Sequence, residues 1–177
     1  SMNFIVATFL LYCSEERSFW MLCSLLEDLM PEGYYAPTLG GLRTDIKVFI
    51  HCIQQYLPKL HQHFVKHELD VTPILMNWFL CLFVNTLPAE HSHRILDCLL
   101  HEGSKVIFRT GLAILSFRQA ELLRVTNVVE AYVLLRHPFG NEEELQSAGL
   151  GPLLITDLPS DKLVGRLHGA WLRGFGS

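Results

Sequence analysis

Thr72-Pro73-Ile74-Leu75-Met76-Asn77-Trp78-Phe79-Leu80-Cys81-Leu82-Phe83-Val84-Asn85-Thr86-Leu87 is the most continuously apolar stretch of the chain. It opens with a helix start signal. Thr72 can cap the first turn, and Pro73 suits an early helical position, where its missing N–H has no partner to lose. Apolar side chains then fall on every side of the helix. A helix without a polar face must be buried in protein or span a membrane. Spanning takes about 20 residues, and this run is shorter. The stretch therefore predicts a central buried helix in an all-α domain.

The rest of the 177 residues agrees with one helical body. Half of the residues are hydrophobic and only 18% are charged, with a mean hydropathy of +0.26. That is apolar for a small domain. A membrane protein would explain it, but no segment is long enough and free enough of polar residues to span. The preferred explanation is a piece of a larger body, with part of its apolar surface meant to face something else. The net charge of −4, with Lys and Arg scattered singly, gives no basic field for nucleic acid. Met2–Tyr12 lacks the basic start and small-residue cleavage site of a signal peptide. Five cysteines (Cys13, Cys23, Cys52, Cys81, Cys98) lie in apolar helical faces without framework spacing, which implies a reducing, cytoplasmic setting.

No stretch alternates with period two, so no sheet is expected. Met2–Tyr12 reads as a buried helix. Ser14 caps a second, whose inward stripe is Phe19, Leu22, Cys23, Leu26, Leu29 and Met30. Pro31-Glu32-Gly33 ends it. Leu42–Tyr56 follows with Ile46, Phe49, Ile50, Ile53 and Leu57 on one face, and Pro58 starts a short helix to Glu68. Beyond the central helix come His91–His101, stopped at Gly103; a helix capped by Ser104; and Asn127–Arg136, capped by Thr126. Asn141-Glu142-Glu143-Glu144 has capping-box spacing, and Ser160 opens a last helix to about Leu172. The total is about ten short helices.

No constellation of side chains reads as an active site. His63 and His67, four apart, share a helical face, but His61 points elsewhere and no carboxylate or thiol has matching spacing. A solvated histidine-bearing face is the preferred reading there, and for His91 and His93 as well. No local signature accompanies a nucleophilic serine or cysteine, and no glycine-rich phosphate loop follows a strand. No metal and no cofactor is expected.

Several stretches, in order, resemble the TBC domain, the helical domain of Rab GTPase-activating proteins. Met2-Asn3-Phe4-Ile5-Val6 is similar to the residues that follow that family's Tyr-x-Gln-Gly motif. Ser18-Phe19-Trp20-x-Leu22 and then Met30-Pro31-x-Gly33-Tyr34-Tyr35 resemble its next signature. Asp45 with the helix after it, Leu57-Pro58-Lys59-Leu60 and Asn77-Trp78-Phe79-Leu80 resemble its middle. Arg94-Ile95-Leu96-Asp97 and His101-Glu102-Gly103-x-Lys105-Val106-Ile107-Phe108-Arg109 complete the order. The resemblance is strong over residues 1–123 and weaker over 124–177, and it is nearest to the subgroup that also carries a PH domain and a coiled coil. The signature residues Asn3, Phe19, Trp20, Tyr34, Tyr35, Asp45, Trp78, Asp97, Glu102, Gly103, Phe108 and Arg109 are read as structural. Trp20 and Trp78 are expected as core anchors, Asp97 as an ion pair with Arg94 or a cap, and Arg109 as internally paired. Leu96 stands where the family usually has Trp, which implies looser packing.

The resemblance implies a C-terminal lobe without the N-terminal one. In the family, an arginine from Ile-x-x-Asp-x-x-Arg and the glutamine of Tyr-x-Gln enter the GTPase site. Both motifs are expected upstream of Met2, and neither Arg17, Arg43 nor any other arginine here occupies such a motif. The implied function is therefore part of a Rab-activating domain in vesicle trafficking, inactive alone, cytoplasmic or peripheral on endomembranes. Its expected partner is a Rab-type GTPase. The uncovered apolar face implies self-association. The alternatives are a non-catalytic module that binds a Rab or another TBC protein, and an unrelated helical scaffold.

Overall fold

The computed structural model describes residues 2–139. Among them there is no strand. The helices expected over 141–146 and 160–172 lie outside the described residues. Among the described residues nine α-helices follow one another: α1 Met2–Leu10, α2 Glu15–Ser24, α3 Gly40–Tyr56, α4 Pro58–Lys66, α5 Thr72–Cys81, α6 Ala89–Glu102, α7 Lys105–Phe117, α8 Gln119–Leu122 and α9 Val128–Arg136. A π-helical turn, Leu25–Leu29, continues α2.

The apolar stretch from Thr72 does form the hub. Helix α5 packs on α1, α3, α7 and α9, and Ile74, Leu75, Trp78, Phe79 and Cys81 are buried. It is shorter than its sequence suggests. Leu82 and Phe83 both turn left-handed, at φ 49° and 63°, and end the helix without a glycine. Such backbone costs about 1–3 kcal/mol per residue. Both side chains are completely buried, and burial of a Leu or Phe returns about 1.5–3 kcal/mol each. The Phe83 ring lies 5.6 Å from that of Trp78. Packing therefore outweighs backbone preference at this corner.

Four caps differ from the spacing-based reading. Asp70, not Thr72, serves the start of α5, its Oδ1 accepting from the Thr72 N–H at 3.0 Å. Asn127, not Thr126, caps α9 by accepting from the Val129 N–H at 2.8 Å. Ser14 and Ser104 occupy N-cap positions but make no side-chain cap bond.

The inward stripe of α2 is also rotated. Ser18 and Leu25 are buried, whereas Phe19 is 57% and Trp20 63% exposed. The π turn then adds a residue, with the Met30 N–H reaching the Leu25 carbonyl at 3.0 Å, and this returns Met30 to the core. A strict 3.6-residue period cannot register that extra residue.

Candidate functional site

The twelve signature residues do not converge on one site. Phe108 sits in an aromatic trio with Phe49 and Phe79, whose ring centroids are 5.1–6.1 Å apart. Trp78 is fully buried and donates its indole N–H to the Leu135 carbonyl at 3.2 Å, fastening α9 to α5. Tyr35 donates to the Leu80 carbonyl at 3.1 Å. Tyr34, in the turn before α3, and Asp45 on α3 are both buried, and the Tyr34 hydroxyl makes no hydrogen bond among the described residues.

Gly103 turns the chain between α6 and α7 at φ 87°, a conformation that favours glycine. The turn brings Glu102 over α7, where its carboxylate accepts from Arg109 Nη1 at 2.6 Å, with Lys105 Nζ 3.9 Å away. Arg109 therefore pairs internally. The second largely buried arginine, Arg118, donates to Glu121 and to the Pro138 carbonyl.

Asn3, Phe19, Trp20 and Asp97 are exposed. This corrects the reading of Trp20 as a core anchor: the rotation of α2 turns its ring to solvent. Asp97 and Arg94, both exposed, form no ion pair with each other. Asp97 instead borders a cavity of about 450 Å³ between α1, α2 and α6, with Tyr12, Cys13, Met21 and His93. Tyr12 Oη and His93 Nδ1 are 2.8 Å apart, and Cys13 Sγ lies 3.7 Å from Met21 Sδ. Spacing alone gives no signal for this cavity, because its residues come from segments some eighty positions apart.

His63 on α4 has a packing role: its Nε2 lies 2.6 Å from the Val125 carbonyl oxygen, and its ring is tilted at 47° to that of His67, 4.5 Å away. No group of three or more His, Cys, Asp or Glu side chains among the described residues could hold a metal ion. No helix among them is long and apolar enough to cross a membrane.

Burial perturbs several titrating groups. It pushes the Cys52 thiol up from 9.0 to about 11 and raises the Tyr35 hydroxyl. Tyr34 is raised well above 10.0 by burial and then by the charge of Asp45. The folded state thus holds protons that the unfolded chain releases, so stability is complete below the unfolded values and is lost as pH rises past them. The melting temperature is expected to stay level up to pH 9 and to fall from there towards pH 11. A flat melting profile across that window would contradict these burials.

The Rab-GTPase-TBC domain family model matches residues 1–123. The chain is 38% identical over 136 residues to mouse TBC1 domain family member 2B, covering 77% of this chain and 14% of that protein. It is 38% identical over 123 residues to rat small G protein signaling modulator 3, covering 70% of this chain and 16% of that one. It therefore spans only a small part of the curated relatives it matches. Among solved structures, the flagellar RabGAP TBC domain of Chlamydomonas is similar, with a TM-score of 0.69 and 32% identity over 86% of this chain and 49% of that one.

Proposed function

The chain belongs to the Rab-GTPase-TBC domain family, and we propose that it supplies the C-terminal framework of a domain that stimulates GTP hydrolysis by a Rab-type GTPase. The catalytic side chains of that domain lie outside these residues. One observation carries this reading: none of the 177 positions completes an Ile-x-x-Asp-x-x-Arg or a Tyr-x-Gln motif. The commitment of Arg109 and Arg118 to internal partners supports it. The signature residues then serve packing, through Trp78 and Phe108 in the core and Glu102, Gly103 and Arg109 at the α6–α7 corner. No cofactor is required. The site of action is the cytoplasmic surface of endomembranes that carry the GTPase.

Single-turnover GTP hydrolysis by purified Rab-type GTPases, with and without the chain, tests this. No acceleration is expected, and acceleration of any of them would overturn the assignment of the catalytic groups elsewhere.

The exposed apolar side chains of α1 and α2, among them Phe4, Leu10, Phe19 and Trp20, support self-association through that face. Contiguous apolar patches beyond a few hundred Å² rarely stay bare in soluble monomers. The same face suits a second reading, in which the chain is a non-catalytic module that binds a Rab or another TBC protein.

A further inference from the structure

We propose that α2 has two registers, and that the π turn Leu25–Leu29 lets it pass between them by taking up or releasing one residue. In the observed register the turn holds an extra residue, and the Met30 N–H donates to the Leu25 carbonyl at 3.0 Å. In the second register the turn is ordinary α-helix, and the Met30 N–H donates to the Leu26 carbonyl instead. Met30 stays in the core. The helix before it rotates by about 100° and moves about 1.5 Å along its axis, the step of one residue. Each side chain then takes the place of the one before it, and the non-helical link 11–14 absorbs the movement.

The observed register carries the signs of this competition. Ser18 is buried, yet its hydroxyl finds no hydrogen-bond partner among the described residues, a costly state for a polar group. Its neighbour Phe19 is apolar and exposed. A shift by one residue exchanges the two: Ser18 moves to the exposed place of Arg17, and the Phe19 ring goes inward. At the other buried place of this segment Leu26 succeeds Leu25, an identical side chain, so that burial is kept. The inward stripe Ser18, Met21, Leu22 and Leu25 becomes Phe19, Leu22, Cys23 and Leu26, which an unbroken 3.6-residue period selects. Room for the ring is at hand. Ser18 lies one helical turn from Met21, which borders the cavity of about 450 Å³ between α1, α2 and α6. Single π turns of this kind are frequent at functional positions.

The two registers present different side chains outward. The first shows Phe19 beside Trp20, whose rings meet edge-on at 5.4 Å, and the second shows Trp20 beside Met21. A neighbour that packs on Phe19 and Trp20 therefore selects the first. In the framework role proposed above that neighbour is the rest of the domain, and this consequence alone rests on that role.

NMR of the 177-residue chain with labelled methionine methyl groups tests the two registers, because helix register shifts fall in the µs–ms range that relaxation dispersion reads. Of the four methionines, Met21 precedes the π turn, Met30 follows it and Met76 lies on α5. Dispersion is expected at Met21, from a minor state of about 1% or more, and not at Met30 or Met76. Deletion of Glu27, exposed within the turn, leaves an unbroken helix with Ser18 and Met30 in their observed places. It is expected to abolish the dispersion. Ser18→Ala removes the unpartnered hydroxyl, leaves the turn intact and is expected to lower the minor population about tenfold. A parent chain without dispersion at Met21 would overturn the proposal. Dispersion of equal size at Met30 and Met76 would report general loosening and overturn it as well. Undiminished dispersion after deletion of Glu27 would remove the π turn from the account. Should that deletion fail to fold, an unchanged minor population in Ser18→Ala would overturn the exchange of Ser18 for Phe19. No GTPase enters the experiment, so none of these outcomes bears on the Rab reading.

Discussion

Trp78→Ala is expected to lower folding stability by about 3–5 kcal/mol, the range for large aromatic truncations in a core. Trp78 is fully buried on α5, the helix that touches α1, α3, α7 and α9. The substitution leaves a void at this hub, removes the contact with Phe83 and removes the donor to the Leu135 carbonyl. Domains of this size have about 5–15 kcal/mol in total, so the variant stands near the edge of folding. Trp78→Phe keeps most of the volume and is expected to cost about 1–3 kcal/mol, chiefly for the lost hydrogen bond. Urea denaturation followed by circular dichroism checks both. Equal midpoints for the parent and Trp78→Ala would remove Trp78 from its place at the hub.

Gly111 sets two opposing effects against each other. It lies inside α7, where alanine would gain up to about 1 kcal/mol of helix propensity. A Cβ there would lie 2.6 Å from Phe49 Cζ on α3. Phe49 is completely buried and held between Phe79 and Phe108, so its ring has nowhere to retreat. Overpacking of this kind costs about 1–3 kcal/mol, which outweighs the propensity gain. Gly111→Ala is therefore expected to destabilise by about 1–2 kcal/mol, and Gly111→Leu by about 3 kcal/mol or more. Pairing Gly111→Ala with Phe49→Leu should recover part of the loss. A Gly111→Ala variant more stable than the parent would contradict the close crossing of α3 and α7.

The helical architecture was legible because it depends on periodicity, which a sequence displays directly. The apolar run from Thr72 identified the hub, and Pro58, Pro73 and Gly103 marked helix boundaries close to their observed places. What was not legible depends on tertiary packing. Leu82 and Phe83 adopt left-handed backbone without a glycine to announce it, because burial of both side chains stabilises the corner. Phe19 and Trp20 have the residue types of core anchors, yet the π turn after α2 breaks the period that would place them. Asp70 and Asn127, not Thr72 and Thr126, accept from the first N–H groups of α5 and α9, a shift of one or two positions that spacing does not resolve.

The signature residues show the same division. Their order along the chain identified the family, since ordered motifs survive in sequence. Their division between core, corner and surface depended on the fold. The pairing of Glu102 with Arg109 needs the reversal at Gly103. The cavity bordered by Asp97 needs α1 and α6 brought together across the molecule.

Single-turnover GTP hydrolysis by a panel of purified Rab-type GTPases, with this chain in excess, tests the central claim most directly. An arginine finger is worth about 10³–10⁵ in rate, so a finger within these residues would stand far above background. A complete TBC domain serves as the positive control. The expected result is a rate unchanged within about twofold for every GTPase. Acceleration of any one of them by about tenfold or more would place a catalytic side chain within the 177 residues and contradict the framework role.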